Sequence, residues 1–405
     1  MSARLLIECG VAETRAALII GEESLRFWFG PARGDETLAA PPETGDVFLG
    51  RVRTISKPLR GAFVDLGEGP QGFLPFGGAG APAAEGAAII VMARRPALGG
   101  KGPVLTLDWK RGLSAEVAAS LEKKAAGLTA PQRLIEPADA ALQAVAALVP
   151  SDKAAEILVD SADAASLLRR AEPEAVISVG ENLFEECGAE AALEESLERL
   201  VSLPGGARLV MDEAEALTVV DVDSGSMAEG ASGRLNDKVN LAASRRLFAE
   251  LSRRAIGGRV VVDFLPPSGA EARKALTDRL RQSAKGVYDC RFGKLSVDGV
   301  FDLTAPRERL SLIERASEAA GEGWARPGRR FTLDWRAKKA MRALEQGLRG
   351  RPAARFRLFA GRALAVYLGG RPQWTERLAA RHSARFDIIM DDKLEERSFD
   401  LAEGR

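Results

Sequence analysis

The chain has 405 residues, 46% of them apolar and 28% charged, enough for two to four domains with ordinary buried cores. Its 57 basic residues balance 57 acidic ones, which argues against binding nucleic acid over the whole surface. One histidine, His382, and three scattered cysteines, Cys9, Cys187 and Cys290, exclude a local zinc clip and argue against a histidine triad, leaving metal-assisted or carboxylate chemistry for an enzyme.

In chain order, residues 4–9 and 15–20 read as strands paired across a polar turn, with 24–29 joining their sheet. The start lacks the apolar core of a secretory signal, no run approaches a membrane span, and the cysteine usage suits a reducing compartment. A cytoplasmic protein with no membrane span is expected. From Asp46 the pattern turns to short alternating strands at 47–52, 62–66, 72–75, 89–92 and 104–107. These predict a small antiparallel barrel of OB type, with residues 77–86 as its long loop. Residues 114–150 are alanine-rich and read as helix broken at Pro131 and Pro137. Residues 157–160 read as a strand, and 190–201 as an amphipathic helix stopped by Pro204-Gly205-Gly206.

Two apolar runs follow, each carrying a carboxylate to its end: Leu217-Thr218-Val219-Val220-Asp221-Val222-Asp223 and Gly258-Arg259-Val260-Val261-Val262-Asp263-Phe264. β-branched runs bounded by glycine read as buried strands, where a carboxylate is costly unless compensated. Mg²⁺ is one compensation, being held by one or two carboxylates plus waters and substrate phosphates. A turn cap or an arginine partner is the other. Between the runs, Val239, Ala243, Leu247 and Leu251 mark one face of a helix over about 236–255. Strand, helix and strand form a βαβ unit, so the strands run parallel and bring Asp221 and Asp263 to one edge. That geometry favours the metal and makes the chain a candidate metal-dependent phosphodiesterase.

Residues 324–385 hold sixteen Lys/Arg against three acids, with Trp324, Trp335, Phe356, Phe359, Tyr367 and Trp374 interleaved. The block has two readings: a surface that tracks phosphates and stacks bases, or a small α/β domain with its aromatics in the core.

In the barrel, Gly50-Arg51-Val52, Ala62-Phe63-Val64-Asp65-Leu66-Gly67 and Gly72-Phe73-Leu74-Pro75 resemble the S1 motif of the bacterial ribonuclease E/G family. Further on, Glu213-Ala214-Glu215-Ala216-Leu217 with Val220-Asp221-Val222-Asp223-Ser224, then Asn240-Leu241-Ala242-Ala243, Ile256-Gly257-Gly258 and Val261-Val262-Asp263-Phe264, are similar to its catalytic motifs. The resemblance runs from the N-terminus to about Leu312. It implies a single-strand-specific endoribonuclease that uses Mg²⁺, leaves 5′-phosphate and 3′-hydroxyl ends, and works in RNA processing or decay. Asp221 and Asp263 match the family's metal ligands, and Asp223 stands where an asparagine orients them in catalysis. Phe63, Phe73 and Lys101 match RNA-contacting positions of the barrel. Arg307 matches a family arginine and is expected beside the scissile phosphate, with Arg291 or Lys294.

The implied fold is α+β and multidomain. An S1-type OB barrel (46–112) is inserted in a ribonuclease-H-like domain (1–45 and 131–205), with a reduced remnant of the 5′-sensor region (113–130). A DNase-I-like catalytic domain (206–318) and a small basic C-terminal α/β region (319–405) follow. The chain departs from the pattern in several places. The family's Arg-Thr sensor pair is missing between the barrel and Ile157, so cleavage independent of the 5′ end is expected. Its Cys-x-x-Cys pair is missing too, so no zinc-linked tetramer is expected and a homodimer stays open. Leu265-Pro266-Pro267 replaces a second aspartate, Ala242 a glutamate, and Val297-Asp298-Gly299 an Arg-Phe-Gly. These losses keep a second reading open, a ribonuclease G-like fold retained as a non-catalytic RNA-binding or ribosome-associated factor.

Overall fold

A computed structural model describes residues 3–21, 24–35, 42–67, 69–76, 84–97, 101–110, 113–135, 138–149, 155–214, 216–225, 233–307, 309–320, 328–351, 354–382 and 386–404. The chain divides into two compact units. One comprises residues 1–35, 139–197 and 312–405; the other comprises 36–138 and 198–311.

In the first unit, strands Ala3–Cys9, Thr14–Ile20 and Ser24–Gly30 form an antiparallel meander, as the alternation of polar turns and apolar runs indicates. Ala155–Val159 and Ile177–Val179 extend it in parallel from the edge of the first strand. Leu5, Leu6 and Ile7 are all fully buried, because both faces of the sheet are covered. Ala140–Leu148 and Ala162–Ala171 pack against Leu5, Ile7 and Leu18, while Leu183–Glu186 and Ala189–Glu195 pack against Leu6, Ala17 and Phe27. Each such side chain contributes about 1.5–3 kcal/mol of burial.

The basic block folds in the same unit. Strands Phe386–Met390, Arg355–Ala360 and Phe399–Gly404 lie with helices Leu333–Gly350, Arg362–Gly369 and Pro372–His382 around one apolar cluster. Trp335, Phe356 and Trp374 are buried, so the core reading holds for them and they present no faces to bases. Trp324 lies outside the described residues. Several arginines of the block also turn inward. Glu345, 4% exposed, accepts from Arg349 (3.1 Å), Arg381 (2.7 Å) and the Val11 N–H (3.4 Å), with His382 Nε2 at 3.4 Å. Arg349 also donates to Asp160 (2.9 Å), Arg342 to Glu13, and Arg377 to Asp35. Arg15, 1% exposed, sits between Glu8 and Glu190.

The second unit begins with the barrel. Val47–Ser56 pairs with Gly61–Asp65 and with Ala88–Arg95, Gly61–Asp65 pairs with Gly72–Pro75, and Val104–Thr106 closes the ring between Gly72–Pro75 and Ala88–Arg95. One seam, Phe73 opposite Val104, is parallel. The barrel is therefore OB-like but not wholly antiparallel, since an odd number of alternating strands cannot close without one parallel pair. Residues 77–83 of the expected long loop lie outside the described residues. Residues 114–150 form two helices rather than one broken helix. Ala115–Ala126 packs Ala118 and Leu121 beside Val47, Leu49 and Trp109 of the barrel unit. Gln132–Arg133 adds a short strand to the barrel, and Ala140–Leu148, capped by Asp139, belongs to the first unit.

The rest of this unit is one mixed six-stranded sheet. Its order is Leu200–Ser202, Arg208–Glu213, Thr218–Asp223, Gly258–Asp263, Val300–Ala305 and Arg291–Leu295. The helix expected over 190–201 ends at Glu195, and Val201 belongs to the first of these strands. Pro204-Gly205-Gly206 is the turn of a hairpin, not a helix stop; Gly205 and Gly206 take φ of +82° and +88°, which reverse the chain. Helices Gly233–Arg253 and Ala270–Ala284 supply the covering layer. Val239, Ala243, Leu247 and Leu251 are all buried, packed with Val220, Val222, Val260, Val262, Phe301 and Leu303 of the sheet.

Candidate metal and RNA site

Strand alternation decides the geometry of the two acidic runs. Thr218–Asp223 alternates buried and outward residues, and so does Gly258–Asp263. The valines at 220, 222, 260 and 262 face the helices, so Val219, Asp221, Asp223, Arg259, Val261 and Asp263 share the opposite face. Both aspartates are solvent-exposed. This corrects the expectation of carboxylates in fully buried strands: half-covered strands put every second residue in the core, and a β-branched run hides that pattern because valine also occupies outward positions.

The two strands are parallel, and Asp221 lies directly opposite Asp263 in the register. The Gly233–Arg253 helix lies in the crossover between them, which general chirality makes right-handed. Residues 226–232 of the connecting glycine-rich loop lie outside the described residues. Burial raises the Asp221 pKa, and the neighbouring charges of Asp263 and Asp223 raise it further; Arg199 and Arg208 pull the other way. Among the described residues, neither Asp221 nor Asp263 accepts a hydrogen bond or forms an ion pair.

Asp223 differs in kind. Its Oδ2 meets Arg208 Nε at 2.8 Å and Nη2 at 2.6 Å, and its Oδ1 accepts the Gly225 N–H at 2.7 Å. Those partners hold its carboxyl below the usual range, the Gly225 N–H first and Arg208 next. The turn-cap and arginine reading thus describes Asp223, while Asp221 and Asp263 stay open.

The chain just beyond Asp263 is fastened to the crossover helix. Asn240, 1% exposed, donates from Nδ2 to the Leu265 carbonyl (2.7 Å) and accepts the Leu265 N–H on Oδ1 (3.1 Å). Asn236 donates to the Pro266 carbonyl, and Ser268 donates its N–H and hydroxyl to Asp237. On the other side Phe264 donates its N–H to Gly299, which has φ +103° and whose Cα lies so near Phe264 that a Cβ would sit 2.2 Å from its carbonyl oxygen. Sequence reasoning singled out Asn240 as a motif residue without its role.

Arg307 is not brought to this edge. Gly258 faces Ala305 and Asp263 faces Val300 across an antiparallel pair, so Arg307 lies beyond the opposite end of the Asp263 strand. Gly257 packs directly on it: a Cβ there would meet the Arg307 Cα at 2.8 Å. Five residues of strand, about 17 Å, separate the two ends. Arg291, opposite Thr304, lies toward that far end as well, whereas Lys294 precedes Leu295, which faces Phe301 nearer the Asp263 end.

In the barrel, Phe63 and Phe73 lie opposite each other, with ring centroids 5.5 Å apart and tilted by 57°. Both are half-buried. Val64, Leu66 and Leu74 fill the interior instead and Ala62 is buried, so the rings occupy the outer face. Gly61 makes room for the Phe73 ring, which a Cβ would meet at 2.3 Å. Lys101 is exposed.

A family model described as the ribonuclease E/G family matches residues 85–308, more than half of the chain. The chain belongs to this family. The ribonuclease E/G match takes in Lys101, Asp221, Asp223, Asp263 and Arg307 and begins after Phe63 and Phe73, later than the motif resemblance from the N-terminus implies. Among curated relatives, it is similar to ribonuclease E of Buchnera aphidicola (31% identity over 136 residues, 33% of this chain and 15% of that one). It is also similar to ribonuclease E of Escherichia coli K12 (27% over 159 residues, 37% and 15%) and to ribonuclease G of the same strain (25% over 196 residues, 46% and 39%). The chain thus matches well under half the length of each of these ribonuclease E/G relatives.

Among the described residues no group of three or more His, Cys, Asp or Glu is clustered for a metal ion; the candidate ion site is a pair, Asp221 and Asp263. The pair fits the donor chemistry of Mg²⁺: acceptor-only oxygens on an open face, without hydrogen-bond partners among the described residues and crowded by like charge. No helix among the described residues is long and apolar enough to cross a membrane.

Proposed function

We propose that this chain is a Mg²⁺-dependent endoribonuclease that cuts single-stranded RNA to 5′-phosphate and 3′-hydroxyl ends without reading the 5′ end. The observation that carries this reading is a pair of carboxylates, Asp221 and Asp263, without hydrogen-bond partners among the described residues and opposite each other in parallel register on an exposed sheet face. Asp221 and Asp263 would hold the ion, and Asn240 keeps the Leu265 backbone from drifting and so fixes where Asp263 ends. Bound Mg²⁺ supplies the Lewis-acid chemistry of phosphodiester hydrolysis, so a histidine base is not needed. Phe63 and Phe73 offer a tilted aromatic pair on which bases stack, and Lys101 a cation for a phosphate. The carboxylate sheet is read as the family's DNase-I-like domain, the first unit's five-stranded sheet as ribonuclease-H-like, and the barrel as S1-type. The homologous names and the lack of a sensor pair support a compact, ribonuclease G-like enzyme of RNA processing or decay in the cytoplasm, with a homodimer to be tested.

The rival is a factor that binds RNA without cutting it. End-labelled single-stranded RNA incubated with Mg²⁺, with EDTA, and with the Asp221→Asn and Asp263→Asn variants separates the two. Cleavage that needs both the ion and both aspartates is the expected result. Binding with no cleavage in any arm would establish the rival, and a single-stranded DNA control sets aside a DNA-acting enzyme.

A further inference from the structure

The exposed sheet face carries two arginines beside Asp221, and they are held differently. Arg199 forms a two-pronged pair with Asp212, Nε to Oδ1 at 2.6 Å and Nη2 to Oδ2 at 2.7 Å, using one carboxylate oxygen for each prong. Arg208 lies opposite Asp223 in the antiparallel register and places both Nε and Nη2 on the single oxygen Oδ2. The other oxygen belongs to the Gly225 N–H. Arg208 Nη1 therefore has no partner among the described residues, and the side chain is 49% exposed. Both oxygens of Asp223 are occupied, so ligating an ion would mean breaking one of these bonds. Gly225 is itself fixed: its φ is +57°, and a Cβ there would lie 2.0 Å from the Gly206 carbonyl oxygen of the adjoining hairpin turn.

We propose that Asp223 is a positioning residue that works through Arg208, and that Arg208 is the guanidinium that grips an RNA phosphate beside the ion held by Asp221 and Asp263. A carboxylate-anchored guanidinium with a free edge suits a phosphate, whose oxygens accept charge-assisted hydrogen bonds from the fork. The anchor also cancels the charge of Asp223, so the site presents two net negative charges to a divalent ion rather than three. This rests on the reading of Asp221 and Asp263 as the ion pair.

The test uses the full chain and five variants: Arg208→Gln, Arg208→Lys, Asp223→Asn, Arg208→Gln with Asp223→Asn, and Asp221→Asn. Binding of a single-stranded oligonucleotide in EDTA is followed against salt, and Mn²⁺ binding is measured without RNA. Arg208→Gln should lower the slope of log affinity against log salt by about 0.7, one phosphate contact on a single strand. It should also cut Mg²⁺-dependent cleavage about ten- to hundredfold, the loss of a charge-assisted hydrogen bond. Arg208→Lys should keep the slope and still cleave slowly, because the charge remains and the anchored fork does not. The double variant should cleave no worse than Arg208→Gln and bind Mn²⁺ as the wild type does. An unchanged salt slope in Arg208→Gln, or loss of Mn²⁺ binding in the double variant, overturns the proposal. A wild type that binds Mn²⁺ no better than Asp221→Asn would instead refute the ion pair, and the slope in EDTA would still decide the Arg208 contact by itself.

Discussion

Replacing Glu345 with glutamine should destabilise the first unit by about 3 kcal/mol at pH 7, because removing one partner from a buried ion pair costs ~3–5 kcal/mol. The carboxylate is 4% exposed and is shared by Arg349, Arg381 and His382. The lower end of the range applies because Arg381 is 38% exposed and screened by water, and Arg349 keeps Asp160. Burial alone would raise the Glu345 pKa. The His382 hydrogen bond and the charges of Arg349 and Arg381 outweigh it and bring the value from 4.5 down to about 2. That fall corresponds to ~3 kcal/mol, an independent route to the same magnitude. A carboxylate with a depressed folded pKa stabilises the fold above its unfolded value and stops doing so as pH drops through the folded one. The difference between wild type and Glu345→Gln should hence be full above about pH 4.5 and shrink toward pH 2. Asp160, whose pKa burial raises against the pull of Arg349 and the Cys9 N–H, changes with pH in the opposite sense, so it does not account for a gap that narrows in acid. Urea titrations followed by circular dichroism from pH 7 to pH 3 measure the gap, and thermal melts at pH 7 should show a midpoint lower by ~6–12 °C. A gap below about 1 kcal/mol at pH 7, or one that does not narrow in acid, would refute the reasoning.

Truncating either barrel ring, Phe63→Ala or Phe73→Ala, should weaken single-stranded RNA binding by about 1–3 kcal/mol per stacked base, read by fluorescence anisotropy, with the thermal midpoint little changed. Asn240→Ala leaves the Leu265 N–H and carbonyl without their partner, so we expect a loss of ~1–3 kcal/mol in stability and a fall in kcat at unchanged RNA affinity. Oligonucleotides carrying a 5′-phosphate or a 5′-hydroxyl should be cut at equal rates; a strong preference for the phosphate would show that a sensor exists without the Arg-Thr pair.

The elements were legible where local pattern and neighbour interactions agree. The helix face of Val239, Ala243, Leu247 and Leu251, the parallel strands on either side of it, and the barrel strands all follow from periodicity and glycine punctuation. So does the meeting of Asp221 and Asp263, since a right-handed crossover leaves one arrangement. Faces were harder to read. Val219 and Val261 occupy outward positions that an alternating pattern assigns to polar residues, and this made half-covered strands look wholly buried. Partners distant in sequence were not legible at all. Nothing near Asp223 announces Arg208 fifteen residues earlier, because the match depends on hairpin register. Arg307 was expected beside the phosphate because it matches a family arginine, and a motif match says nothing about which end of an antiparallel strand a residue occupies. The aromatics of the basic block permitted two readings because helix periodicity places tryptophan equally well in a core or on a stacking surface.

The inward arginines of that block bear on the order in which the protein is made. Glu13, Asp35 and Asp160 are translated well before Arg342, Arg377 and Arg349, the arginines that neutralise them. Until then the finished edge of the opening sheet carries bare acid where the mature protein has paired charge. A nascent chain halted before residue 342 can complete the barrel and the carboxylate sheet, whose residues all precede it, while the strands made before them wait for helices made after.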